Sequence, residues 1–168
     1  DYSYGVTTDV SGNVYLGGWT FSASNIASGG FQNTHGGGIF DAFLVKFNAA
    51  GTRQWATYYG GTGDEYVYGV ATDASGNVYL GGYTESAIGI ASGGFQNTFS
   101  GGAGAIFLVK FSSVGSRLWA TYYGGALFEE FGVVATDAAG NVFMAGDTYS
   151  SVGIASAGYD NTLTGSEN

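Results

Sequence analysis

Two pairs of adjacent acids carry the most obvious chemical capacity in this chain. Asp64-Glu65 and Glu129-Glu130 each lie between β-like runs. Two carboxylates held about 5–10 Å apart across a cleft can act as acid and base on a glycosidic bond. Such acids can also hold a hard cation such as calcium. Asp64, Glu65, Glu129 and Glu130 are therefore candidate metal and ligand-binding residues, and the plain alternative is a solvated acidic loop. Calcium is the only cofactor this raises, and nothing in the sequence demands one.

Trp19 and Tyr83 share a repeat position that is Asp147 in a third copy. An exposed aromatic there would stack on a sugar ring, and it would equally cap the core of its own loop. Asp9, Asp73 and Asp137 precede SGN, SGN and AGN turns. They read as Asx turns, with the carboxylate bonding backbone N–H groups. Calcium ligation is the competing reading, but the further acids of an EF-hand loop are missing. His35 has Phe99 and Leu163 as its repeat counterparts, so no catalytic role is expected of it. Lys46, Lys110, Arg53 and Arg117 recur in register, which is a structural pattern; a strand-exposed Lys discourages edge pairing. There is no G-x-S-x-G, H-E-x-x-H or Walker motif. No catalytic residue is assigned, and the chain is read as non-enzymatic.

Composition narrows the partners. The 168 residues carry a formal charge of −9, with four basic residues, no Cys and no Pro. Four basic residues leave no electrostatic footprint for nucleic acid. No Cys excludes a disulfide framework and Cys-based metal sites. Charge is too sparse and aromatics too many for a disordered acidic tail. No apolar run approaches the roughly 20 residues of a membrane helix, so no membrane insertion is expected. The chain begins at Asp1 without a signal peptide, and is expected to be processed or a fragment.

The elements that must position these residues repeat. DYSYGVTTDVSGNVYLGGWT at 1–20 returns as EYVYGVATDASGNVYLGGYT at 65–84 and as EEFGVVATDAAGNVFMAGDT at 129–148. The offset is about 64 residues, and about 42 positions match between the first two copies. Full copies also share IASGGFQNT, FLVKF and WATYYGG. The repeats run 1–64, 65–128 and, in part, 129–168, about 2.6 copies in all.

Each unit holds four runs rich in Val, Tyr, Phe, Trp and Thr, at 4–9, 13–20, 42–47 and 53–60 in the first copy. Short Gly-containing turns join the first two and the last two; a long Gly/Ser-rich loop, 21–41, joins the middle pair. No segment has a sustained helical period. Four antiparallel strands per tandem unit is the sequence form of a propeller blade. Val14, Leu16 and Val45 are expected to pack against a neighbouring blade. Phe31, Phe95 and Tyr159 are expected to anchor each long loop onto its own blade. The long loops and inter-blade links emerge on one face, which is the expected working face, with Trp19, Tyr83 and the acid pairs on it.

The frame YGVTTDVSGNVYLGG…GGFQNT…FDAFLVKF…GTRQWATYYGG resembles the bacterial SBBP-type β-propeller repeat, over essentially the whole chain. The resemblance implies an all-β protein with one blade per repeat, in large secreted or surface-exposed bacterial proteins. It implies no reaction. Such repeats usually carry Pro in the long loop, and this chain has none.

Propellers close with roughly four to eight blades. The chain is thus expected to be part of a larger ring, completed by remaining blades of the same polypeptide or by sister chains. A compact three-fold fold is the other alternative. The expected function is a non-enzymatic scaffold or adhesion module at the bacterial outer surface or outside the cell, with a glycan or surface protein as possible partner class. The alternative is a calcium- or carbohydrate-binding propeller using the long-loop face; a glycoside-cleaving enzyme is the third reading.

Overall fold

A computed structural model describes residues 1–162. Leu163, the third counterpart of His35, lies outside them. Ten strands form three antiparallel sheets, and the described residues contain no helix. Blade 1 comprises β1 (Tyr2–Thr8), β2 (Val14–Thr20), β3 (Asp41–Phe47) and β4 (Arg53–Tyr59). Blade 2 comprises β5 (Glu65–Thr72), β6 (Val78–Thr84), β7 (Ala105–Phe111) and β8 (Arg117–Tyr123). The third sheet pairs β9 (Glu129–Thr136) with β10 (Val142–Thr148). Neighbours in sequence are neighbours in each sheet, so each unit is a meander, the topology of a propeller blade.

Local chemistry sets the turns. Asp9 N–H donates to Asn13 O at 3.0 Å, and Gly12 sits at φ 77°, the left-handed region that Gly enters without a Cβ penalty. Asn48 and Thr52 close the β3–β4 turn in the same way.

The strand period of two gives each sheet two faces. Tyr15, Ala42, Leu44 and Tyr59 of blade 1 point toward blade 2 and meet Val78, Leu80, Phe107, Val109 and Phe111 in one core cluster. Val78, Leu80 and Val109 are the counterparts of Val14, Leu16 and Val45, so the second repeat packs this set against its neighbour. In blade 1 the same positions lie on the face turned away from blade 2, where Leu16 and Val45 join Phe43, Ala56 and Ile26 in a smaller cluster. The inner strand of each unit packs across the preceding one: β5 against β1, β2 and β3, and β9 against β5, β6 and β7. Gly81 permits one such approach, because a Cβ there would strike the backbone of Gly132.

The long loop runs along the outer edge of its own blade rather than forming an open face. Ser28 and Ala56 exchange backbone bonds of 2.9 and 3.0 Å, and Tyr58 N–H donates to Gln32 O. Ser92, Gln96, Ala120 and Tyr122 repeat the arrangement in blade 2. This short fifth edge covers the exposed donors and acceptors of β4 and β8, which would otherwise invite pairing with another chain.

The loop aromatics differ from expectation. Phe31 meets Tyr59 of its own blade at 6.4 Å and also reaches the next, 6.3 Å from the Phe111 ring and 4.5 Å beneath the Arg117 guanidinium. Phe95 is 86% exposed and Tyr159 wholly so. The position is a reach across a seam, and it is filled only where a complete blade follows.

Candidate functional site

The adjacent acids are separated by strand alternation. Glu65 is the first residue of β5 and Glu129 the first of β9, and both are fully buried. Their neighbours point elsewhere. Asp64 Oδ1 accepts the Ile39 and Phe40 N–H groups at 2.5 and 3.2 Å, and its Oδ2 accepts Tyr66 O–H at 3.2 Å. Glu130 lies half-buried opposite Asp147 in the β9–β10 pairing. The members of each pair diverge: Glu130 follows Glu129 within β9 and faces the other side of the sheet, while Asp64 precedes β5 and is held by the loop amides of Ile39 and Phe40.

Glu65 and Glu129 instead belong to a latch built three times. Asp1 Oδ1 accepts the hydroxyls of Thr20 and Ser22. Glu65 Oε1 accepts Thr84 Oγ1–H at 2.6 Å, and its Oε2 accepts Gly61 N–H at 3.0 Å. Glu129 Oε1 accepts Thr148, Ser150 and Gly125 N–H, while its Oε2 has no partner among the described residues. Each latch fixes the start of an inner strand to the end of the second strand, and those of Glu65 and Glu129 also bond the inter-blade link through Gly61 and Gly125. Burial pushes the Glu65 carboxyl up, against the lowering effect of its hydroxyl and amide donors, to about 7.

Asp41 and His35 were not singled out as site residues in the sequence, yet they stand beside Glu65. Asp41, the first residue of β3, is fully buried. Its Oδ2 accepts Gly36 N–H at 2.6 Å, and His35 Nδ1 lies 3.6 Å from its Oδ1. Gly60 separates the two carboxylates: a Cβ there would stand 2.6 Å from Asp41 Oδ1 and closer still to Glu65 Oε2. Burial raises the Asp41 carboxyl, against the Gly36 amide and the His35 charge. The available sequence signal was joint variation: His35 and Asp41 become Phe99 and Ala105 together in the second repeat.

Trp19 and Tyr83 are not free platforms. Trp19 is stacked by Tyr2 at 4.0 Å and meets Phe40 and Tyr66 edge-on at 4.7 and 5.2 Å. Tyr83 is buried, and its hydroxyl donates to Ala103 O at 2.9 Å. Both pack against the end of their own long loops, Trp19 on Phe40 and Tyr83 on Ala103. Beside Trp19, Tyr2 and Tyr4 of β1 remain about half exposed.

The turn aspartates are Asx turns. Asp73 Oδ1 accepts Ser75 and Asn77 N–H, and its Oδ2 accepts Asn77 Nδ2–H, Tyr79 O–H and, at 3.1 Å, Lys110 Nζ. Burial opposes ionisation there, but Asn77 and Lys110 outweigh it and hold the carboxyl down at about 2. Asp9 and Asp137 have the same Asn partner and no Lys. Lys46 bonds Ser113 O across the seam instead.

Sheets, seams and latches repeat with the sequence period, and the comparison with known proteins agrees. Residues 54–89, from β4 through β6, match the SBBP family, described as a beta-propeller repeat. The match spans a seam rather than a blade, so it takes in Gly60, Gly61, Glu65 and Thr84. The chain is also similar to a WD repeat-containing protein of Acanthamoeba polyphaga mimivirus, 27% identical over 129 residues. That alignment covers 63% of this chain and 9% of the length of that protein.

Proposed function

We propose that this chain is a non-enzymatic scaffold module of a larger protein displayed outside the cell, whose SBBP repeats serve to stack on one another. The observation that carries this reading is the repetition of seam bonds between different blades. Tyr59 O–H donates to Ile90 O at 2.6 Å, and Tyr123 O–H donates to Ile154 O in the same way. Thr72 Oγ1–H donates to Thr8 O at 2.8 Å, and Thr136 Oγ1–H to Thr72 O at 2.7 Å. The acid that leads each repeat, Asp1, Glu65 or Glu129, is engaged in such a latch. Chemistry spent on joining like to like supports a structural role, and repeat stability of this kind grows through neighbour interfaces. The partners are further blades of the same repeat type.

The test is to replace residues 163–168 by the sequence of residues 99–128, which completes the third repeat. The expected result is a melting temperature higher by several degrees, with Phe95 protected from solvent and Tyr159, which no further blade follows, still exposed. Added strands that leave the melting temperature unchanged and are cleaved at once by protease would overturn the reading. So would turnover of a glycoside panel that Glu65→Gln abolishes.

A further inference from the structure

We propose that His35, Asp41 and Glu65 form a proton-operated clasp on the seam between blades 1 and 2, closed when the Asp41–Glu65 pair holds a proton and loosened when both carboxylates are ionised. The argument starts from placement. Two fully buried acids from different blades crowd one glycine, with Asp41 leading β3 of blade 1 and Glu65 leading β5 of blade 2. Like charges at such range disfavour joint ionisation, and burial removes the water that would screen them. A proton on the pair leaves one negative charge, and the His35 ring stands 3.6 Å from Asp41 Oδ1.

The surroundings offer little further relief. The loop before β3 contributes His35, and β3 itself Asp41. Tyr59 on β4 and Tyr122 on β8 lie within electrostatic reach of Glu65. Asp64 adds a second negative charge acting on Asp41, and Arg117 reaches only the Tyr59 hydroxyl region. Ser86, Thr84 and Gly61 stabilise the ionised form of Glu65 through hydrogen bonds, but burial outweighs them. The folded form thus binds a proton that the unfolded chain has already released. The seam is tightest in acid and weakens as pH rises from the ordinary glutamate range toward and past neutrality.

The second seam provides the contrast within the same molecule. Glu129 occupies the place of Glu65, but Ala105 and Phe99 replace Asp41 and His35, so no second carboxylate or imidazole stands there. The device is confined to one seam of the chain, and it is independent of the scaffold reading.

Amide exchange followed by NMR reads both seams at once. Gly61 N–H bonds Glu65 and Gly125 N–H bonds Glu129. Between pH 5 and 8.5, after correction for intrinsic exchange, protection of Gly61 should fall about tenfold and that of Gly125 less than about threefold. The variant His35→Phe with Asp41→Ala, which copies the second seam into the first, should flatten the Gly61 profile. Should that variant fail to fold, Glu65→Gln provides the same test, since an amide there cannot ionise. Equal falls at Gly61 and Gly125, or a fall that survives Glu65→Gln, would overturn the clasp.

Discussion

The Arg117 guanidinium lies 4.5 Å over the ring of Phe31, joining the long loop of the first repeat to the outer strand of blade 2. Arg117 also donates to Ile90 O at 3.1 Å, so one cation ties a loop, an aromatic and a neighbouring loop carbonyl together. A cation held over an aromatic face is favourable beyond simple contact.

Phe31→Leu keeps apolar bulk and removes the ring. It should lower stability by about 0.5–1 kcal/mol in a urea titration. Phe95→Leu, at the same repeat position but 86% exposed, should leave the midpoint unchanged. Equal losses at both sites would mean that the loop, not the seam, responds.

The acid limb should report Asp73. Its carboxyl is held at about 2 against 3.8 for an ordinary aspartate, so its contribution is complete above 3.8 and is lost as pH falls through 2. Asp73→Asn should cost about 1–2 kcal/mol at pH 7 and reduce the acid sensitivity of the melting temperature. Asp137→Asn, exposed and without a lysine partner, should have the smaller effect.

Gly81→Ala should be more damaging than Gly51→Ala. The first would drive a methyl into the Gly132 backbone of β9; the second meets nothing within 4 Å and bears only the strain of φ 78°. The expected losses are at least about 2 kcal/mol against about 1 kcal/mol. Tyr68 and Phe131, whose rings meet at 5.0 Å across the same seam, should separate only in Gly81→Ala, as read by near-ultraviolet circular dichroism.

Lys46 Nζ and Trp55 Nε1 both donate to Ser113 O, at 2.9 and 3.1 Å. Either Lys46→Met or Trp55→Phe alone leaves that carbonyl with one donor. The double variant leaves it with neither, so its cost should exceed the sum of the singles by about 0.5–1 kcal/mol in a double-mutant cycle.

Strands, turns and the blade were legible in the sequence, because period-two apolar runs and Asp-x-x-Gly-Asn turns act over a few residues. The Asx turns at Asp9, Asp73 and Asp137 depend only on atoms four residues apart, and they form as read. Three repeated copies also announced which positions would be equivalent. Where equivalent positions go was another matter. Phe31 reads as an anchor for its own blade, and its ring does meet Tyr59 there, but it also reaches Phe111, 80 positions along the chain. Asp64 and Glu65 read as a pair, yet the strand that begins at Glu65 turns one inward and leaves the other on loop amides. Glu65 finds Asp41 only because β3 and β5 start side by side around Gly60. Local periodicity fixes conformation and face; it carries no information about which blade that face will meet, and burial, charge and seam chemistry arise only from that meeting.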